Sequence, residues 1–341
     1  MTRAFGVTLA AAMALLGSPA AGGSPASVAG SVRGSAAQTP PVRAESAIFY
    51  YPWYSTPKRD GHWAHWYVRA EDGAHVLSTP YYPARGLYSS SNAKVVAAHM
   101  RDIAAIGVRT VIVSWWGWGS PEDLRLELVT SAARRAGLGV AVHLEPYRGR
   151  TPASTAEDIA ALQLRGYADF YVYDADRDAA ADWATALAVL ADVRVFAHTY
   201  LVGRAKAAGF DGLYTYDVAT WNGGTFARVC AQAHRAGLLC APSVGPGYDA
   251  RRATPDRLVR PRRHGATYDG MWRAAVRAKP DLVTITSYNE WQEGTQIEPA
   301  RIQVERQGYE GAWGKHGMPA QRAYLDATTR WVARFRASAR Q

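Results

Sequence analysis

The sequence predicts a single (β/α)8 barrel, and three observations carry that prediction. Eight short apolar runs recur along the chain, amphipathic stretches with helical spacing separate them, and the runs are continuous rather than alternating. Continuous apolar strands alternating with helices indicate a parallel sheet covered on both faces, and eight such units in one domain-sized chain indicate a barrel. The competing arrangement, an open doubly wound sheet, calls for a glycine-rich phosphate loop after its first strand. No GxGxxG or Walker A pattern occurs anywhere in the chain.

The amino terminus stands outside the barrel. Arg3 precedes an apolar run from Phe5 to Leu16 and then the small residues Gly17, Ser18, Pro19, Ala20 and Ala21. This is the layout of a secretory signal peptide over residues 1–21, too short for the roughly 20 apolar residues that span a bilayer. Residues 22–45 have the Gly/Ser/Ala/Pro/Gln composition of a flexible leader. The expected product is a secreted, monomeric domain over residues 46–341, with no membrane association after cleavage.

The strands are expected at residues 47–51, 109–114, 138–144, 169–173, 193–197, 212–216, 238–243 and 282–287. A long polar–aromatic loop, residues 52–91, follows the first. Helices are expected at 94–106, 121–136, 154–164 and 180–190, with others between the later strands and a last one at 320–337. Ser120 as N-cap and Pro121 at the first helical position mark the start of the second helix.

Composition narrows the function classes. Lys and Arg number 39 against 29 Asp and Glu, a net charge of +10. Only five of the 39 are Lys; the other 34 are Arg, spread along the chain without any nucleic-acid-binding motif. Two cysteines, Cys230 and Cys240, rule out a disulfide scaffold and a zinc ribbon. They leave open a single bridge or two buried thiols. The 12 Trp and 19 Tyr against 7 Phe favour aromatics with a polar edge, as a wet concave binding surface does.

In a barrel, function collects at the carboxyl ends of the strands, and seven of the eight predicted ends carry aromatics, acids or both. Tyr50, Tyr51, Trp53 and Tyr54 follow the first, with His62 and His65 beyond; Trp115, Trp116 and Trp118 follow the second. Glu145 follows the third, between His143 and Pro146. Glu290, Glu293 and Glu298 follow the eighth. Stacking rings with a few carboxyl groups suit a sugar, whose C–H faces pack on aromatics and whose acetal is cleaved by paired acids. Each acid has a plainer reading. Glu145 could pair with an Arg, Glu290 and Glu293 could begin a helical turn, and Glu298 before Pro299 reads as structural. His62, His65 and His143 lack a shared metal-ligand spacing, and no GxSxG elbow is present.

Five segments together resemble glycoside hydrolase family 99, the endo-α-1,2-mannosidases: 49–54 (FYYPWY), 143–147 (HLEPY), 209–216 (GFDGLYTY), 243–248 (SVGPGY) and 289–298 (NEWQEGTQIE). They run in order through the whole mature domain. The resemblance implies a (β/α)8 barrel without cofactor. It implies endo-cleavage of α-1,2-mannosidic bonds in α-mannan or high-mannose glycans, with retention through a 1,2-anhydro sugar formed by the substrate's own 2-hydroxyl. Carried onto this chain, Glu290 assists removal of the 2-hydroxyl proton and Glu293 is the general acid/base. Glu145 binds near that hydroxyl; Tyr51, Tyr216, Arg252 and Asn289 hold sugars, and Trp116 walls the outer hexose. Such a general acid should hold its proton near neutral pH, through burial or through Glu290. Two departures stand out. Gln292 occupies the place where the family usually has His, and the 145–173 stretch is short. A non-catalytic or differently acting α-mannoside-binding barrel is the competing function.

Overall fold

The computed structural model describes residues 44–70, 73–303 and 305–338; the expected signal peptide and nearly all of the leader lie outside them. Eight parallel strands form the barrel: β1 (Glu45–Tyr50), β2 (Thr110–Trp115), β3 (Gly139–Leu144), β4 (Asp169–Val172), β5 (Arg194–His198), β6 (Gly212–Tyr214), β7 (Leu239–Ala241, resuming as Ser243–Val244) and β8 (Leu282–Ile285). Each pairs with the next, Ile48 standing opposite Val111 and Val142 opposite Phe170. Pro242 lacks an N–H and interrupts β7, yet its carbonyl accepts from Thr284 at 3.1 Å and that of Cys240 from Asp281 at 3.1 Å, so β7 still joins β8. β8 pairs with β1 through Glu45 opposite Leu282, which closes the barrel.

The helices are α1 (Ala93–Ala105), α2 (Pro121–Arg135), α3 (Pro152–Leu164), α4 (Ala180–Leu187), α5 (Val202–Ala207), α6 (Phe226–Arg235), α7 (Ala266–Arg277) and α8 (Ala323–Ser338). Ser120 caps α2, accepting from the Asp123 N–H. Thr151 and Ser154 form a reciprocal capping box at α3. Among the described residues no helix is long and apolar enough to cross a membrane.

Three differences from expectation follow from local chemistry. β6 ends at Tyr214 rather than at residue 216, because Tyr216 turns out of the strand with φ +36°. β8 ends at Ile285, two residues early, where Ser287 bonds into the loop that follows. The last helix starts at Ala323 after a separate short turn, Gly317–Gln321. Cys230 on α6 and Cys240 on β7 form a disulfide, with Cα atoms 5.2 Å apart, which decides the alternative left open above.

The barrel lumen is plugged by rings. Phe49 meets His143 at 4.8 Å and Tyr171 at 6.0 Å between centroids, and Tyr171 stacks on Phe196 at 4.8 Å. Much of the aromatic surplus is thus core, with the polar edges of Tyr and His paired: Tyr214 OH lies 2.7 Å from His143 Nε2. This plug is the floor on which the functional residues stand.

Candidate active site

The loop after β8 is fixed by hydrogen bonds along its length. The Glu290 N–H donates to Ser287 Oγ at 2.8 Å, and Ser287 N–H donates to the Thr295 carbonyl at 3.0 Å. Tyr54 OH donates to the Asn289 carbonyl at 2.8 Å and accepts from the Trp291 N–H at 3.0 Å. Glu298 is fully buried; its Oε2 accepts from Tyr88 OH at 2.7 Å and Trp291 Nε1 at 2.9 Å. It is a structural acid, as its position before Pro299 suggests. The loop after β1 is fixed separately by Arg125 of α2, which donates to the Pro52 carbonyl and to Ser55 and Ser91 hydroxyls at 2.8–2.9 Å.

These loops enclose a cleft of about 100 Å³ lined by Glu145, Glu290 and Glu293 with Tyr51, Trp53 and Trp116. Tyr173, Asp174, Arg177 and Tyr216 complete its wall. A smaller lobe of about 60 Å³ shares Tyr173, Tyr216 and Glu293 and adds Asp217, Tyr248 and Asp256. Glu293 therefore lines both spaces.

Glu290 is 4% exposed and accepts from Tyr216 OH at 2.6 Å; Tyr216 in turn is hydrogen-bonded to Tyr51 OH. Glu145, at the end of β3, accepts from Ser114 Oγ at 2.8 Å. His143 Nδ1 lies 2.9 Å from the same oxygen, at ion-pair distance but off the hydrogen-bond line. No Arg pairs with it among the described residues. Both acids are held by neutral donors, which fix their orientation without cancelling their charge.

Burial drives the Glu290 carboxyl well above the ordinary range, and repulsion from Glu293 adds to it; the Tyr216 hydroxyl opposes the shift. Glu293 is pushed up to about 8, by burial first and then by Asp217, Glu145 and Asp256. Its hydrogen bond with Glu290 works the other way. The Glu293 rise expected of a general acid is present, but the neighbouring carboxyl does not cause it.

The expected site residues divide. Glu145, Glu290, Glu293, Tyr51, Tyr216 and Trp116 meet in one cleft. Asn289 does not reach it: its side-chain oxygen accepts from the Tyr51 N–H at 2.8 Å and its amide donates to the Tyr51 carbonyl at 2.9 Å. It ties the β8 loop to the residue that follows β1. Arg252 is exposed on a turn and lines neither space. The cation in the cleft is Arg177, one Arg among 34 and without any local signal in the sequence. Trp115 is buried against helices, and Trp118 is half-exposed with its N–H given to Asp158 at 2.7 Å, so Trp116 alone of that cluster lines the cleft. Gln292 is bonded to His65 Nδ1 at 3.1 Å, and the His65 ring lies flat on Trp53 at 4.4 Å. Burial holds that imidazole down to about 4, so it is neutral at ordinary pH. Among the described residues no group of three or more His, Cys, Asp or Glu is arranged to hold a metal ion.

Comparison with known proteins agrees with this geometry. The profile of glycosyl hydrolase family 99 matches residues 41–337. A glycoprotein endo-alpha-1,2-mannosidase-like protein of Danio rerio is 31% identical over 347 residues, covering 84% of this chain and 77% of the relative. A glycoprotein endo-alpha-1,2-mannosidase of Xenopus laevis is 29% identical over 87% of this chain and 78% of its own. The solved GH99 endo-alpha-mannosidase of Bacteroides thetaiotaomicron superposes with a TM-score of 0.78 at 28% identity, over 86% of this chain and 98% of that one.

Proposed function

This chain belongs to glycosyl hydrolase family 99 and is a glycoside hydrolase; from that premise we propose that it is a retaining endo-α-1,2-mannosidase acting on α-mannan or high-mannose glycans. The observation that carries the reading is the placing of Glu293 between two spaces, with Glu290 and Glu145 beside it and Tyr216 donating to Glu290. An endo-enzyme needs room on both sides of the bond it cuts, and the acid belongs at the junction.

The chemistry follows in two halves. Ionised Glu290 takes the proton of the substrate's 2-hydroxyl, whose oxygen bonds to the anomeric carbon. The bond to the leaving sugar breaks, and its oxygen takes the Glu293 proton. Water then attacks the anomeric carbon as the C1–O2 bond of the anhydro ring breaks; Glu293 receives a water proton, and Glu290 returns its proton to the freed O2. Two inversions give net retention. In the free molecule burial raises the proton affinity of both carboxyls. The arriving 2-hydroxyl supplies Glu290 with a second donor beside Tyr216, which favours its anion and leaves the shared proton on Glu293.

Export fits the Cys230–Cys240 disulfide, which persists in oxidising compartments, and the amino-terminal pattern over residues 1–21. Incubation with α-mannan tests the function. Released oligosaccharides are expected from the wild type and none from Glu293→Gln. Binding of α-1,2-mannosides without any product would favour the non-catalytic alternative.

A further inference from the structure

A second hollow, of about 400 Å³, adjoins the catalytic cleft. It shares Tyr248 with the smaller lobe and Gly294 with the β8 loop. Its charge is opposite to that of the cleft. Glu145, Glu290, Glu293 and Asp174 face Arg177 in the cleft, whereas the hollow is lined by Arg251, Arg260, Arg262, Arg263 and His264 against Asp249 and Glu310.

Both of those acids are already engaged. Asp249 accepts from Arg251 at 2.9 and 2.8 Å. Glu310 accepts from the Gly317 N–H at 3.1 Å and lies 2.7 Å from His316 Nδ1. Among the described residues, Arg260, Arg262 and Arg263 have no carboxylate at ion-pair distance. Arg260 donates to the carbonyls of Val218, Ala219 and Thr220. Arg262 donates to the Gly294 and Gln296 carbonyls at 2.9 and 2.6 Å, and its guanidinium lies 4.6–5.0 Å from the rings of Tyr81, Tyr309 and Tyr324. Its buried Nε and Nη1 meet no hydrogen-bond acceptor. Carbonyls and rings orient these cations but leave their net charge in place.

The backbone holds the next two basic residues at the same wall. Arg263 (φ +48°), His264 (φ +52°) and Gly265 (φ +98°) are consecutive left-handed residues. For non-glycine residues this conformation is costly and collects at functional sites. A side chain at 265 would strike the Trp313 ring at 2.5 Å, so only glycine completes the turn.

We propose that this hollow is an anion site for a phosphate group, either free or carried on the glycan. Guanidinium groups in excess over carboxylates, beside Tyr hydroxyls and a strained basic turn, are the chemistry that recognises phosphate oxygens. The glycan-borne case rests on the mannosidase reading; the binding of free phosphate does not.

Calorimetric titration with inorganic phosphate at pH 7, against sodium chloride at matched ionic strength, tests the site. Saturable binding is expected in the wild type and in Glu293→Gln, weakened at least 10-fold in Arg263→Ala and in His264→Ala. Equal response to chloride, or unchanged affinity in both variants, overturns the site. Cleavage of a phosphate-bearing α-mannan and of the same mannan after phosphatase treatment distinguishes the sources. A kcat/KM preference of about 10-fold for the phosphorylated form, lost in Arg263→Ala, supports glycan-borne phosphate. Phosphate binding without that preference overturns the glycan-borne case and leaves the free anion as ligand. Failure to cleave either mannan would defeat the mannosidase reading while the phosphate titration stands on its own.

Discussion

The two ends of this barrel handle charge in opposite ways. At the amino end of the strands, Asp169 and Arg194 face each other across β4 and β5 with two hydrogen bonds of 2.5 and 2.7 Å. Each partner's charge is satisfied there. At the carboxyl end, Glu290, Glu293 and Glu145 share one cleft with no Lys or Arg at ion-pair distance among the described residues, and Tyr216 and Ser114 hydroxyls hold Glu290 and Glu145. The first arrangement lowers the energy of the folded chain; the second raises the proton affinity of two carboxyls and keeps them reactive. The same residue types serve stability where they are paired and chemistry where they are not.

The largest effect should come from the unpaired end. Glu290→Gln and Glu293→Gln are each expected to lower kcat by about 10³-fold on α-mannan, within the range for loss of a proton-transfer group. A turnover within about 10-fold of wild type in either variant would remove that residue from the mechanism.

Next is a change between the ends. Replacing Cys230 and Cys240 by Ala removes the link between α6 and β7 and should cost about 2–4 kcal/mol of stability, read as a lower thermal midpoint, with kcat little changed. An equal midpoint with and without reductant would contradict a bridge that restrains the unfolded chain.

Tyr216→Phe deletes the hydroxyl that Glu290 accepts from. A hydrogen bond to a charged group contributes roughly 1.5–3 kcal/mol, so kcat should fall by about 10- to 100-fold while the fold survives. Unaltered kcat would mean that Glu290 needs no donor.

The unpaired end should also show itself in the pH dependence of stability. Folded Glu293 keeps its proton up to about pH 8, whereas an unfolded chain releases it near 4.3. Between those values the folded state binds more protons, so its stability falls as pH rises. Glu293→Gln removes this contribution, and its thermal midpoint should exceed the wild-type value by more at pH 8 than at pH 5. The paired end gives the smallest effect. Asp169→Asn with Arg194→Gln should lower stability by less than about 1 kcal/mol, since both groups are partly exposed, and should leave kcat unchanged.

The barrel was legible because its strands are apolar throughout, a pattern that needs no tertiary information. Glu145 was legible for a related reason, standing directly after β3, whereas Glu290 and Glu293, five and eight residues beyond β8, were legible through the motif at 289–298. Residues on loops without such a motif were not. Arg252 lies eight residues beyond the end of β7, and its loop carries it away from the cleft, while Arg177 arrives there from a turn after β4. Asn289 lies in the 289–298 motif but bonds both amide atoms to Tyr51, a pairing between residues 238 positions apart that only the closed barrel reveals. The hydrogen bond from His65 Nδ1 to Gln292 Oε1 is of the same kind, and it brings a neutral imidazole to the side chain between the two acids in sequence, where the sequence shows only a missing His.

The central claim is that the substrate's own 2-hydroxyl, assisted by Glu290, opens the glycosidic bond. The rate of cleavage of an α-1,2-mannoside whose reacting sugar is 2-deoxy tests it most directly. The account predicts no detectable product from the 2-deoxy substrate under conditions in which the parent is consumed. Cleavage of the 2-deoxy substrate at or above the parent rate would contradict it and point to a carboxylate attacking the anomeric carbon itself.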